Sequence, residues 1–120
     1  MQAVKFQIIR FVDADQPGWV ECELFDAHGE KWTFIEKIPV VTTEDLWEDT
    51  DYPRSGFMAC KVIETRIDAD GRKTVTVDTE LPFGIESTAG TYRFTVLPEQ
   101  VEDWDTGGPG PNISRPLNID

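Results

Sequence analysis

The stretch Trp19-Val20-Glu21-Cys22-Glu23-Leu24-Phe25-Asp26-Ala27-His28-Gly29-Glu30-Lys31-Trp32-Thr33-Phe34-Ile35-Glu36-Lys37-Ile38 reads as a β-hairpin. Two runs of β-branched and aromatic residues flank a turn whose Asp and Gly suit a type I turn closed by a left-handed residue. Glycine supplies that conformation because it has no Cβ to clash. Closing Asp26 on Glu30 places Leu24 opposite Trp32 and Cys22 opposite Phe34 on one face. Glu23 opposite Thr33 and Phe25 opposite Lys31 occupy the other. Strand side chains alternate with period two, so a slip of one residue would mix the two faces.

The turn chemistry recurs in Asp68-Ala69-Asp70-Gly71-Arg72-Lys73, which joins residues 57–67 to residues 73–79. Pairing Asp68 with Arg72 predicts Thr65 opposite Val75 and Ile63 opposite Val77. Met58, Cys60 and Val62 prefer the opposite phase, so this long strand must pass from one packing layer to another. Residues 4–12 show the same device. The apolar phase of Val4, Phe6 and Ile8 changes to that of Ile9 and Phe11, which implies a bulge or a strand that turns between layers. The likeness of the two hairpins is confined to their turns and does not indicate a duplicated domain.

Residues 13–18 read as a turn, and residues 91–97 as a further strand with Tyr92, Phe94 and Val96 on one side. Thr42-Thr43-Glu44-Asp45-Leu46-Trp47-Glu48 has the pattern of a helix start, a threonine at the cap followed by acids where the helix dipole favours them. Pro53 and Gly56, within residues 49–56, end that helix within two turns. Residues 98–104 fit one helical turn or a short edge segment. From Asp105 the composition changes to Gly107-Gly108-Pro109-Gly110-Pro111 and then to a thinly apolar end. The expected organisation is a single β domain over residues 1–104 and a flexible, dispensable Gly/Pro-rich tail over residues 105–120. The expected fold is mainly β, a small antiparallel barrel or an orthogonal two-layer sheet of about six strands with one short helical turn.

Charge narrows the partners. The chain carries 23 acidic against 11 basic residues, a net −12, with 12 acids and 5 bases in residues 1–60 and 11 and 6 in the rest. The whole surface is therefore acidic, and it repels phosphate backbones and anionic leaflets. The reading is of no nucleic acid, no membrane, and a basic protein as the favourable partner. No continuous apolar core of a signal peptide opens the chain, and two cysteines are too few for a secreted disulfide framework. The cytoplasm is the expected compartment.

Conventional catalytic groups are scarce. Cys22 and Cys60 lie on apolar faces and read as inert thiols, with a buried disulfide as the other reading. His28, the single histidine, sits at a hairpin tip, where a polar turn residue is ordinary. One histidine and two core cysteines do not make a zinc site, and the 68–71 turn lacks the glycine and glutamate spacing of a calcium loop. No catalytic residue, metal or cofactor is expected, and an enzyme is the less favoured reading.

Two stretches are candidates for binding. Glu44, Asp45, Glu48, Asp49 and Asp51 place five acids in eight residues, interleaved with Trp47 and Tyr52. Such aromatics anchor interfaces while charge steers the encounter. Phe83 and Ile85 are costly to expose in a loop, so residues 81–90 either cap a barrel end or line a pocket. Glu86, Ser87 and Thr88 can supply polar groups at such a mouth. The leading expectation is a non-catalytic adaptor, inhibitor or immunity-type protein that covers a basic partner. A small-ligand-binding barrel or minor enzyme comes second. A structural subunit or homodimer, joined through an exposed strand edge, comes third.

Overall fold

The computed structural model describes residues 1–103. Seven strands dominate it: β1 (Gln2–Asp13), β2 (Trp19–Phe25), β3 (Lys31–Lys37), β4 (Arg54–Ile67), β5 (Lys73–Asp78), β6 (Arg93–Val96) and β7 (Val101–Asp103). A four-residue helix, α1 (Ile38–Val41), and a 3-10 turn at Pro98–Gln100 complete the regular structure. Every pairing is antiparallel, in the order β3-β2-β1-β4-β5-β6, with β7 beside the first residues of β1. The result is a strongly curled half-barrel, mainly β as expected. The additional short strand and the 3-10 turn both fall in the segment read as a turn or an edge. The tail assigned to residues 105–120 lies outside the described residues.

Both hairpins form in the expected way. Leu24 pairs with Trp32, Cys22 with Phe34, Glu23 with Thr33 and Phe25 with Lys31. Gly29 and Gly71 take φ of 77° and 79°. The two long strands carry the curl. β1 pairs with β2 across a register shift between Ile8 and Arg10, where its apolar phase changes. β4 pairs with β1 through Arg54–Cys60 and with β5 from Lys61 onward, so it crosses from one part of the sheet to the other.

One register differs from expectation. Thr65 faces Val75 as predicted, but Val62, not Ile63, faces Val77, with a shift between Val62 and Glu64. The two halves of β4 have opposite apolar phases, and an extra residue shifts the pairing between them; the half beyond it, Ile63 to Ile67, is exposed and does not enter a second packed layer as the sequence suggested. Ile63 is the extra residue, and it is 44% exposed.

The core runs across the inside of the curl. Fully buried Val4, Ile8, Val20, Leu24, Phe34 and Met58 come from β1 to β4, and Val77 and Val96 from β5 and β6. An edge-to-face chain of rings spans the interior, with Phe6–Phe34 centroids at 5.7 Å, Phe34–Phe94 at 5.5 Å and Trp32–Phe94 at 5.3 Å. Such pairs add to the value of their burial. Gly56 faces Phe6, and a Cβ there would lie 2.8 Å from Ile8 Cγ1, so this glycine makes room for the core.

Two hydrogen bonds sew the edges together. Ala27 N–H of the first turn donates to the Thr95 carbonyl of β6, and Thr88 N–H donates to the Thr33 carbonyl of β3, both at 2.8 Å. Among the described residues no helix is long and apolar enough to cross a membrane.

Candidate functional site

The acidic segment does not form the helix its sequence suggests. α1 ends where that helix should begin: Thr42 is extended at φ −158°, and its N–H closes the last helical bond on the Ile38 carbonyl at 3.1 Å. Thr42 Oγ1 then accepts Glu44 N–H at 3.1 Å. Pro39 in the first turn suits a helix start, because its missing N–H is one of the groups a helix leaves unbonded there. Ile38 and Val41 fasten that turn to the core. Threonine therefore serves as the exit from a turn four residues upstream of the expected one.

Beyond it the chain is held by its own polar groups. Leu46 is buried, whereas Trp47 is 64% exposed. Trp47 N–H donates to Thr50 Oγ1 at 2.9 Å, and its carbonyl accepts from Thr50 N–H at 3.2 Å and from the Tyr52 hydroxyl at 2.7 Å. Burial pushes the Tyr52 phenol above its ordinary value, which keeps the hydroxyl a donor at neutral pH. A backbone clamped on both sides thus presents an indole to solvent. Of the five acids, Glu44 is paired: Arg54 Nη2 and Nε lie 2.9 and 3.1 Å from its Oε1, and Arg54 Nη1 reaches the Asp51 carbonyl at 3.3 Å. Asp45, Glu48, Asp49 and Asp51 have no ion-pair partner among the described residues.

The second candidate segment divides. Ile85 is fully buried, with its N–H on the Thr79 carbonyl at 3.0 Å and its carbonyl accepting Thr79 Oγ1 at 2.5 Å. Buried Ser87 Oγ accepts the N–H groups of Ala89 and Thr91 at 3.2 and 3.1 Å, and so builds the local turn. Glu86 and Thr88 face solvent. Phe83 is 47% exposed.

Phe83 instead meets the acidic segment. A cleft of about 490 Å³ is walled by Phe11, Ile38, Leu46, Trp47 and Phe83, with Glu44 and Asp45 among its polar lining. The site joins three parts of the chain that are distant in sequence. Tyr52 and the acids at 48, 49 and 51 flank this cleft in sequence without lining it, and Ile85, Glu86, Ser87 and Thr88 do not line it. The floor comes from residues the sequence reading did not single out, Phe11, Ile38 and Pro39. The phase change in β1 was a signal for Phe11 alone, which lies beyond it and packs half-buried against the core. Gly18, at φ 97°, shapes the end of the cleft, where its carbonyl accepts Ile38 N–H at 2.9 Å and a Cβ would lie 2.8 Å from Ile38 Cδ1.

The thiols stand apart from this site. Cys22 and Cys60 are buried and unbonded to each other. Burial first, then Glu36 and Glu21, pushes Cys22 up to about 12, and burial pushes Cys60 up to about 11. At neutral pH neither supplies the thiolate that nucleophilic chemistry requires. Among the described residues no three His, Cys, Asp or Glu side chains converge as a metal site. His28 lines a separate cleft with Glu64, Arg66 and Asp68, where the two hairpin turns approach each other. Comparison with known proteins finds no matching family model, no matching curated protein and no matching solved structure.

Proposed function

We propose that the protein is a non-catalytic adaptor or inhibitor that covers a basic protein partner, with the cleft beside Trp47 as its docking surface. The observation that carries this reading is a 64% exposed indole, on a backbone clamped on both sides, bordering a concave, largely apolar surface beside unpaired carboxylates. A large aromatic that the fold leaves in water is a good contact anchor, and an acidic field of net −12 speeds the encounter with a cation-rich surface. The cytoplasm is the compartment we assign, where free buried thiols such as Cys22 and Cys60 are ordinary. A volume near 490 Å³ also falls in the range of small-ligand sites, which makes a metabolite-binding role the second reading.

Affinity capture from native lysate at low and moderate salt tests the first reading. Basic proteins retained by the wild type at low salt should be released as salt screens the field over its reach of about 8–10 Å. They should also be lost with Glu48→Lys/Asp49→Lys and with Trp47→Ala. Charge reversal should chiefly slow association, and loss of the indole should chiefly speed dissociation. Identical partners for all three proteins would retire the reading. A thermal shift with a metabolite panel, abolished by Phe83→Ala, would put the second in its place.

A further inference from the structure

We infer that the cleft receives an arginine side chain of that basic partner. The inference rests on the docking reading and specifies what enters. Phe11, Trp47 and Phe83 line one concavity. Among the described residues none of the three makes a ring contact with another aromatic side chain. Phe11 is half-buried against the core, while Trp47 and Phe83 are the two that the fold leaves substantially in water, at 64% and 47% exposure, and so the two that can meet a guest. Ring faces attract cations through their quadrupole.

The polar lining decides between guests. Asp45 has no ion-pair partner among the described residues, while Glu44 is held by Arg54. A purely apolar plug would strip water from the Asp45 carboxylate and return nothing to it. A cation with an apolar body answers both the walls and the lining.

Arginine fits better than lysine. Its guanidinium is planar and weakly hydrated on its faces, so it can lie against a ring while its edge donates to a carboxylate. A lysine ammonium is a compact, strongly hydrated charge whose three donors ring faces do not satisfy. The protein itself places a guanidinium beside this cleft, since Arg54 bridges the Glu44 carboxylate and the Asp51 carbonyl.

The test uses the full chain and three blocked peptides, Ac-Gly-Arg-Gly-NH2, its lysine counterpart and its citrulline counterpart, followed by amide and indole NMR. The Trp47 indole signal is assigned by its disappearance in Trp47→Phe. Saturable shifts of that signal are expected with the arginine peptide, with binding about two- to fivefold weaker for lysine, as one exposed cation–π contact implies. Citrulline, similar in shape but uncharged, should not bind. Trp47→Ala and Phe83→Ala should each weaken the arginine peptide by a similar factor, and Trp47→Phe should retain most of it. Both positions are exposed, and unchanged amide dispersion elsewhere shows that the variants fold. Equal binding of arginine and lysine, untouched by either alanine variant, overturns the inference and leaves the docking reading in place. So does failure of the arginine peptide to bind while salt-sensitive capture of basic proteins persists. Binding of citrulline as tight as that of arginine overturns the requirement for a cation, and with it the inference. Loss of both peptide binding and capture removes the docking reading as well.

Discussion

The two hairpin turns have nearly the same internal bonding and opposite tertiary situations. In the first, Asp26 Oδ1 accepts the N–H groups of His28 and Glu30, both at 2.9 Å, and Gly29 N–H donates to the Asp26 carbonyl at 3.0 Å. In the second, Asp68 Oδ1 accepts the N–H groups of Asp70 and Arg72 at 3.0 and 2.9 Å, and Gly71 N–H donates to the Asp68 carbonyl at 3.0 Å. The remaining carboxylate oxygen differs. Asp26 Oδ2 takes the Trp32 indole N–H at 3.0 Å in a partly buried setting, whereas Asp68 Oδ2 faces its neighbour Arg72 at 3.3 Å in solvent. Ala27 is buried and bonded to β6, while Ala69 is exposed. Turn geometry is therefore a local property, and what the turn does for the fold is not.

That contrast can be broken most severely at Asp26. Asp26→Ala removes three acceptor contacts and leaves the Trp32 indole N–H and two turn N–H groups without their partner, so urea titration should show a loss of about 2–4 kcal/mol. Asp68→Ala should lose clearly less, because water replaces the carboxylate at an exposed turn. Equal losses would mean that docking of the first turn contributes nothing to stability.

A smaller and deliberately symmetrical effect is expected at the glycines. A Cβ at Gly29 or Gly71 would meet nothing within 4 Å, so only the backbone conformation resists substitution. Gly29→Val and Gly71→Val should each lose about 1–2 kcal/mol, in step with one another. A much larger loss at Gly29 would show that strain there spreads through Ala27 into β6.

The smallest effect is one of pH. The Arg72 backbone N–H, foremost, together with the Asp70 N–H and the Arg72 guanidinium, holds the Asp68 carboxyl below its ordinary value. A carboxyl depressed in the folded state contributes stability above its unfolded value, near 4, and that contribution is lost as pH falls through the lower folded value. The stability gap between wild type and Asp68→Asn should therefore narrow as pH drops below about 4. A constant gap in chemical denaturation across that range would place the turn's stability in the backbone alone.

Much of the fold was legible for the reason the turns were. The hairpin registers follow from a period-two pattern and from bonds that span at most four residues, as does the phase change at Ile8 and Ile9 that the β1 irregularity marks. The candidate site was legible only in pieces. Trp47 read as an interface anchor and Phe83 as an aromatic costly to expose, but nothing in either segment indicated that they would line the same cleft. The Thr42-Thr43 segment carried a sound helix-start pattern, and Thr42 became a helix exit, because Ile38 and Val41 had already fastened the preceding turn to the core.

By itself the sequence determined both Asp–Gly turns, the pairing of Leu24 with Trp32 and of Thr65 with Val75, and an acidic surface of net −12. Each of these depends on neighbours in the chain or on composition. Only the tertiary structure decided that Ile63 would be the bulged residue, that Ala27 would bond to Thr95 across the curl, and that Phe11, Trp47 and Phe83 would wall one cleft. The physical reason is range. A turn closes on hydrogen bonds whose donors and acceptors are never more than a few residues apart, whereas the curl of a sheet sums the twist of every strand pair and the volume of every core side chain. Residues far apart in the chain meet only after that sum is complete.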